Sequence, residues 1–308
     1  MSKAVFELIS GGYLQVLLLG KPHRLYVEQA GHGIPLVCLH TANSDTRQYR
    51  GLLNDTELLR NFRIITFDLP YHGKSSPPAG WHQHEYKLHT RDYIQITLEV
   101  CAALELDKPV LMGCSIGGRL VLHLALDHAA RFSALIGVQA NTYSVRGYDL
   151  DWMHRPDVNG GETNAGIVSG LIGPAASESD RWETLWHYMQ GGPGVFKGDL
   201  HSYELSEELR SRIDEIDAAK CPLYLLTGEY DYSCLERDTL ELGRRIKGAK
   251  AYIMRGLGHF PMSENPELFL SHLRPILAEI LARSRVEVPL IATSTLISKS
   301  NSGADKRS

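Results

Sequence analysis

Short apolar runs alternate with segments of helical period along the first 140 residues of the chain, and the same rhythm returns after residue 220. Continuous apolar runs at residues 34–40 (IPLVCLH) and 62–70 (FRIITFDLP) are typical of strands that are buried on both faces. Residues 91–106 (RDYIQITLEVCAALEL) carry apolar side chains near helical spacing instead. This alternation predicts an α/β protein with right-handed crossovers and a mostly parallel sheet covered by helices on both faces.

The remaining core elements follow the same two patterns. Further strands are predicted at residues 13–20, 25–31, 109–113, 132–140, 221–231 and 250–256, and further helices at residues 117–129 and 266–283. The apolar run at residues 13–20 (YLQVLLLG) is interpreted as a strand rather than the core of a signal peptide, because it is short and lacks a small-residue cleavage site. No apolar run in the sequence approaches the length of a membrane span.

The alternation stops for about eighty residues in the second half of the chain, where Gly, Trp and Tyr are frequent and no buried strand is predicted. Two helical patterns lie in this stretch, at residues 182–190 (WETLWHYMQ) and 206–216 (SEELRSRIDEI). Because structureless loops of this length are uncommon, the stretch is interpreted as a helical lid. The predicted domains are a core of residues 1–140 and 220–284, an inserted lid of residues 141–219, and a disordered tail of residues 285–308 that is rich in Ser and Thr.

Charge and cysteine content narrow the classes of partner. The formal net charge is −4 and the sequence has no basic run, so neither nucleic acid nor a membrane surface is predicted as a partner. The five cysteines are scattered, odd in number and without a C-x-x-C pair, which is typical of free thiols in a reducing compartment rather than of disulfides or a zinc site. A cytoplasmic location is therefore predicted.

Three closely spaced histidines raise the question of a metal site. His82, His84 and His89 lie in the segment WHQHEYKLH, but binuclear hydrolase sites have the pattern H-x-H-x-D-H, which Glu85 and Tyr86 interrupt. We interpret these residues as surface histidines and predict no metal site. The glycine groups NGG and GGPG lack the sequence context of a phosphate-binding loop, so no cofactor is predicted either.

The segment GCSIG, residues 113–117, stands between a predicted strand and a predicted helix and matches the nucleophile elbow G-x-S-x-G. Such a sharp turn forces its central residue into a strained backbone conformation and needs glycines where a Cβ atom would collide with neighbouring elements. The central residue, Ser115, is predicted to project into a pocket. Cys114 still belongs to the strand end and is predicted to point into the protein as a small apolar residue.

A serine hydroxyl needs a base to accept its proton and an acid to orient that base. In the order expected after a nucleophile elbow, Asp231 follows one predicted strand and His259 lies in a loop after the next. Glu229 is the alternative acid, and Asp231 is favoured because it lies further beyond the strand end. The oxyanion hole is predicted from the backbone amides of Ile116 and Ala42, with Thr41 as the alternative to Ala42.

Five motifs in this order resemble those of α/β-hydrolases with a lid domain: LH after a strand, FDLPYHGKS, GCSIGG, TGEYD and GLGHFPMSENP. The resemblance covers approximately residues 20–284 and implies an eight-stranded type of sheet. One position departs from the superfamily, which usually has His-Gly in the oxyanion turn where this chain has His40 and Thr41. The segments LHTANSDTRQYRGLL, DLPYHGKSSPP and GHFPMSENP are more narrowly similar to the free-standing thiohydrolases that release chains from fungal polyketide synthases.

The resemblance implies a serine hydrolase that cleaves an ester or thioester through an acyl-enzyme, most specifically one that releases a polyketide acyl chain from a carrier domain of the synthase. The alternatives are a lactonase or carboxylesterase, a carbon–carbon bond hydrolase, and a non-catalytic relative that binds a small ligand. Asp68 in FDLPYHGKS is interpreted as an anchor of its loop through hydrogen bonds rather than as a nucleophile. The substrate pocket is predicted to include His40, Thr41, Trp186 and Phe260.

Aromatic residues are frequent in the predicted lid and have two possible roles. They could line an acyl pocket or pack the lid itself, and the sequence leaves both roles open. The residues are Trp152, Trp182, Trp186, Tyr188 and Phe196.

Overall fold

The computed structural model describes residues 4–143, 150–155 and 157–287. One sheet organises this part of the chain. Its strands are β1 (Ser10–Leu18), β2 (Lys21–Gly31), β3 (Ile34–Leu39), β4 (Phe62–Phe67), β5 (Val110–Cys114), β6 (Ala134–Val138), β7 (Leu223–Gly228) and β8 (Lys250–Met254). They are arranged in the order β1-β2-β4-β3-β5-β6-β7-β8. The first two strands pair antiparallel with their neighbours and all the others pair parallel, so the predicted mostly parallel sheet is confirmed.

The core is divided between the two faces of this sheet. Successive side chains of a strand point to opposite faces, and in β5 Leu111 contributes to one apolar cluster whereas Met112 contributes to the other. Helices cover both faces, with Leu120 of α3 (Ile116–Asp127) in the first cluster and Leu273 of α10 (Pro266–Glu287) in the second. The central strands are therefore apolar without alternation, as the continuous runs in the sequence predict.

Helices occupy much of the described chain outside the sheet. They are α1 (Arg50–Leu53), α2 (Thr90–Ala103), α3 (Ile116–Asp127), α4 (Gly160–Ser169), α5 (Glu178–Met189), α6 (Val195–Leu200), α7 (Ser206–Arg212), α8 (Glu236–Arg245), α9 (Pro261–Glu264) and α10 (Pro266–Glu287). Among the described residues, no helix is both long and apolar enough to cross a membrane.

The long segment between β6 and β7 carries α4 to α7. Its helices pack against each other and against the loop after β8, because Val168, Leu185 and Tyr188 form a small apolar cluster with Phe260. We call this segment the insertion. Within the insertion, the sequence predicted the regions of α5 and α7 but not α4 or α6, and in the core it did not predict α1, α8 or α9.

The end of the last helix differs from the prediction. The tail was predicted to begin at residue 285, but α10 continues to Glu287. Arginine, which occurs at positions 283 and 285, is a good helix former. The predicted tail is thus wrong for residues 285–287. Residues 288–308, for which disorder was predicted, lie outside the described residues.

Candidate active site

The elbow between β5 and α3 has the strained geometry that the motif predicts. Ser115 has φ 59° and ψ −115°, a conformation that is rarely adopted by residues with a side chain. A Cβ atom on Gly113 would lie 2.4 Å from the carbonyl oxygen of Gly117, and one on Gly118 would lie 2.2 Å from the carbonyl oxygen of Val138. The glycines therefore allow α3 to approach the sheet closely, and Ser115 is placed at the tip of the turn.

Of the two adjacent candidate nucleophiles, only Ser115 lines a cavity. Cys114 is completely buried, and its Sγ atom lies 3.4 Å from the carbonyl oxygen of His259. Burial raises the pKa of the Cys114 thiol well above its usual value, so this residue is held as a thiol inside the protein. All five cysteines are buried and free, as predicted.

The structure brings the predicted base and acid together. His259 Nδ1 lies 2.7 Å from Asp231 Oδ2, and the two side chains are 8% and 0% exposed. The other carboxylate oxygen of Asp231 accepts hydrogen bonds from the backbone N–H and the hydroxyl of Ser233, at 2.7 and 3.0 Å. Sequence analysis missed Ser233, whose only signal was its position two residues after the acid.

The alternative acid, Glu229, points to a different part of the surface. Its carboxylate accepts hydrogen bonds from Arg255 Nη1 and from the backbone N–H of Gly256, both at 2.9 Å. The position further beyond the end of β7 is therefore the one that brings a carboxylate to the imidazole of His259.

The loop that carries His259 is held by a buried carboxylate. Glu264 accepts hydrogen bonds from the backbone N–H groups of Gly258, Gly173 and Phe260. Burial raises the pKa of this carboxyl, although the three amides act against the increase. The backbone N–H of His259 itself donates to the carbonyl of Leu171 in the insertion, at 2.9 Å. The base is thus fixed from both the core and the insertion.

The turn after β3 leaves one backbone amide unpaired. The N–H of Thr41 donates to Gln48 Oε1 at 2.9 Å, and the N–H of Asn43 donates to Asp199 Oδ2 at 2.7 Å. The N–H of Ala42 between them has no acceptor among the described residues. The N–H of Ile116 begins α3 and has no acceptor within the helix. These contacts favour Ala42 over Thr41 as the second oxyanion donor.

The turn does not need glycine at the position of Thr41. Its left-handed residue is Asn43, with φ 58°. The Thr41 hydroxyl instead contacts Tyr188 of the insertion. The departure from the superfamily pattern therefore connects the turn to the cavity wall.

A network around Asp199 supports this turn from below. The Asp199 carboxylate, completely buried, also accepts hydrogen bonds from His72 Nε2 and from the Tyr86 hydroxyl, both at 2.8 Å. His72 Nδ1 lies 3.0 Å from the carbonyl oxygen of Pro70, so both ring nitrogens face acceptors. Although burial opposes a charge there, Asp199 raises the pKa of His72 above its usual value.

The cavity beside Ser115 has a volume of about 240 Å³. The residues that form its wall are Thr41, Ala42, Ser115, Gln139, Asn141, Tyr143, Met153, Ile167, Leu171, Tyr188, Phe196, Leu200, Tyr203, Tyr232, Ser233, His259 and Phe260. Of the four predicted pocket residues, Thr41 and Phe260 contribute to it and His40 and Trp186 do not.

His40 and Trp186 have other roles. His40 is buried under the turn, where its Nδ1 lies 2.8 Å from the Thr41 carbonyl oxygen and its Nε2 accepts the N–H of Leu69. Trp186 is 54% exposed, because α5 turns Leu185 and Tyr188 inward and successive helix positions are about 100° apart. The prediction of both as pocket residues was wrong.

The other predicted lid aromatics divide in the same way. Tyr188 and Phe196 line the cavity, whereas Trp182 is 61% exposed. The side chain of Trp152 lies outside the described residues. Sequence analysis missed Tyr203, a cavity residue whose ring lies 4.7 Å from the guanidinium carbon of buried Arg119. Burial raises the pKa of Tyr203, whereas Arg119 and the Ser115 hydroxyl act against this increase.

Asp68 anchors its loop, as predicted. Its two carboxylate oxygens accept hydrogen bonds from the N–H groups of Thr46 and Lys74, each at 2.8 Å. Burial and the neighbouring Asp45 raise the pKa of Asp68 to about 6. The side chain is fully used in bracing the loops after β3 and β4.

Comparison with known proteins agrees with this architecture. A family model described as alpha/beta hydrolase fold matches residues 34–166. The chain resembles a solved hydrolase from Pseudomonas aeruginosa PA01 with a TM-score of 0.73, at 20% identity over 86% of this chain and 98% of that one. The protein therefore has the α/β-hydrolase fold.

Two curated relatives extend the comparison. AB hydrolase superfamily protein YisY of Bacillus subtilis is 29% identical over 79% of this chain and 91% of its own length. A pimeloyl-[acyl-carrier protein] methyl ester esterase of Nitrosospira multiformis is 31% identical over 42% of this chain and 46% of its own length. The chain spans less than half the length of the two curated relatives that it matches at 31% identity.

Proposed function

We propose that the protein is a serine hydrolase that cleaves an ester or thioester through an acyl-enzyme. One observation carries this proposal: a strained elbow serine and an imidazole held by a buried carboxylate line the same cavity. Structural histidines and carboxylates are common in proteins. A serine in this strained backbone conformation is not, because the strain costs free energy and typically persists only at functional sites.

The site supports the following sequence of steps. Ser115 Oγ attacks the substrate carbonyl carbon while His259 Nε2 takes the hydroxyl proton, and Asp231 stabilises the resulting imidazolium. The amides of Ala42 and Ile116 donate to the oxyanion. The tetrahedral intermediate collapses as His259 protonates the leaving alcohol or thiol. A water molecule then gives a proton to His259 and attacks the acyl-enzyme. The second tetrahedral intermediate collapses as His259 returns this proton to Ser115 Oγ, which releases the acid and restores both residues.

The most specific form of the proposal is release of a polyketide acyl chain from a carrier protein. Four tyrosines line the cavity together with Gln139 and Asn141. Aromatic faces combined with hydroxyl and amide groups suit an acyl chain that carries several oxygen atoms. The relative from Nitrosospira is named for an ester that is attached to an acyl-carrier protein, which is the same kind of substrate presentation.

A second candidate, hydrolysis of a compact lactone or ester, is favoured by the size of the cavity. Its volume of about 240 Å³ is below the range of about 300–1,000 Å³ that is usual for small-molecule sites. A lactone or a short acyl group fits within such a space, whereas a long chain extends beyond it.

A substrate panel separates these candidates. One oxygenated acyl group should be presented as an N-acetylcysteamine thioester, as a methyl ester and, where its chain allows, as a lactone, with Ser115→Ala as the control. A preference for the thioester supports chain release, and a preference for the lactone supports the second candidate. Labelling by a fluorophosphonate tests the nucleophile: absence of an adduct on Ser115 in folded protein would favour a non-catalytic, ligand-binding relative.

A further inference from the structure

Three side chains of the types that commonly bind metal ions lie close together outside the cavity, although they come from distant parts of the chain. His89 immediately precedes α2 in the core. His201 and Glu204 lie in and just after the 3-10 turn His201–Tyr203 of the insertion. One possible ligand atom from each side chain lies within 4.8 Å of the other two.

The distances within this cluster fit a small metal ion. Glu204 Oε2 lies 3.0 Å from His89 Nδ1 and 3.1 Å from His201 Nε2. In a tetrahedral zinc site, bonds of about 2.0–2.2 Å place neighbouring ligand atoms roughly 3.3–3.5 Å apart. Small rotations of the three side chains are therefore enough to admit an ion between them.

The carboxylate is already oriented for this role. Glu204 Oε1 accepts the backbone N–H of Thr90 at 3.2 Å, which directs Oε2 toward the two imidazoles. A second hydrogen bond connects α2 to the insertion, since the Thr90 hydroxyl donates to the carbonyl of Ser202 at 2.7 Å. Outer contacts of this kind fix the geometry of ligands in metal sites.

The donor set indicates the class of ion. Two imidazoles and one carboxylate suit Zn²⁺ and related divalent transition metals, whereas Ca²⁺ and Mg²⁺ prefer oxygen ligands alone. The exposure of His89 leaves room for water to complete the coordination. We propose that His89, His201 and Glu204 form a binding site for a divalent transition metal ion, with Zn²⁺ as its occupant, at the junction between α2 and the insertion.

Such a site would connect the ion to the cavity wall. The turn that carries His201 also carries Tyr203, whose ring lines the cavity. An ion bound by one residue of the core and two of the insertion holds this turn against α2. Without an ion, the same cluster is a set of exposed ion pairs, which contribute little to stability.

The test is direct metal binding by the full chain after removal of metal with a chelator. Calorimetric titration with Zn²⁺ should show a stoichiometric site, and Co²⁺ should give visible absorption bands typical of tetrahedral or five-fold coordination. His201→Asn and Glu204→Gln should each weaken binding about tenfold or more. The matched control carries His82→Asn and His84→Asn, which change exposed histidines of the neighbouring segment, and should bind as the wild type does.

Hydrogen exchange gives a second measurement that does not depend on activity. Zn²⁺ should slow exchange of the amides in residues 200–205 of the wild type and leave those of the Glu204→Gln variant unchanged. Circular dichroism of the metal-free proteins should be identical, since the substituted side chains lie at the surface. Absence of stoichiometric binding, equal affinity in the Glu204→Gln variant, or loss of binding in the His82/His84 control would each overturn the proposal.

Discussion

Two buried histidine–carboxylate pairs among the described residues have nearly equal lengths, although His259 contacts its carboxylate through Nδ1 and His72 through Nε2. The His259–Asp231 pair has a distance of 2.7 Å and the His72–Asp199 pair one of 2.8 Å. They differ at the second ring nitrogen. His72 Nδ1 faces the carbonyl oxygen of Pro70, whereas His259 Nε2 has no partner among the described residues and belongs to a ring that lines the cavity. Only His259 is therefore free to exchange a proton with a substrate or with Ser115.

The His72–Asp199 pair also supports the candidate active site. Asp199 accepts the amide of Asn43 as well as the ring of His72, and Asn43 follows the proposed oxyanion donor, Ala42. The pair that cannot exchange protons thus braces the turn that the other pair needs. Both imidazoles have a hydrogen bond to a carboxylate, so this bond does not distinguish a structural histidine from one that can act as a base. The groups around the other ring nitrogen do.

Removal of the nucleophile has the largest expected effect. Ser115→Ala should lower kcat for an activated ester by about 10⁶-fold, the scale found when a triad serine is removed. Initial rates with a chromogenic ester measure this. Cys114→Ala is the matched control and should retain activity within a few-fold. A comparable loss in both variants would contradict the assignment of Ser115.

The second prediction exchanges the two carboxylates for amides. Asp231→Asn should lower kcat about 10⁴-fold through loss of imidazolium stabilisation and of the correct tautomer. Asp199→Asn should instead lower the free energy of unfolding by about 3 kcal/mol, because His72 loses its buried partner. Kinetics and urea denaturation of both variants check this. A larger kinetic loss for Asp199→Asn than for Asp231→Asn would reverse the roles assigned to the two pairs.

The third prediction uses pH to detect the charge on His72. Because its pKa in the folded state is raised, the pair contributes its full stability below the ordinary pKa of about 6.5. That contribution is lost as pH rises through the higher, folded pKa, with a slope of at most about 1.4 kcal/mol per pH unit. Urea denaturation between pH 6 and 8 measures it, and His72→Asn should remove this slope.

Other histidines act mainly on the acid side, and Asp68, with its pKa of about 6, titrates at the lower edge of the pH 6–8 range. Burial lowers the pKa of His40, His123 and His187 to about 4 in each case. Their contribution to stability is complete above about pH 6.5 and is lost as pH falls. The His72→Asn variant should keep this acid-side loss of stability. If His72→Asn also removed the acid-side loss, the two pH dependences would not have separate sources and the assignment to His72 would be wrong.

The smallest expected effect is at the departure from the superfamily pattern. Thr41→Gly removes the hydroxyl that contacts Tyr188 but leaves the backbone turn, whose left-handed residue is Asn43. Loss of one such hydrogen bond should lower the free energy of unfolding by about 1 kcal/mol, with little change in kcat because the backbone N–H at position 41 is kept. Thr41→Ser keeps the hydroxyl and should match the wild type in urea denaturation. A large fall in kcat for Thr41→Gly that Thr41→Ser does not show would give the hydroxyl a part in the reaction.

The residues of the candidate site fall into two groups: those marked by a short local sequence motif, and those placed only by contacts between distant parts of the chain. The elbow, the acid after β7 and the histidine after β8 were each predicted from a short motif at the end of a strand, and the structure brings the acid and the histidine into contact. Parallel strands end at one edge of the sheet, so such loops meet whenever the strands are correctly identified. Asp199, by contrast, carries no local motif and reaches Asn43 from the insertion, 156 positions away in the sequence.

Local patterns in the sequence alone determined the strands, the three longest core helices (α2, α3 and α10), the elbow and the order of its partners. They could do so because apolar periodicity and strained turns depend on neighbours that lie a few residues apart. Only the tertiary structure decided which aromatic residues form the cavity, where Tyr188 enters and Trp186 does not. It also decided that His89 meets His201 and Glu204. Those outcomes depend on how the insertion packs against the core, which the spacing of residues along one element does not specify.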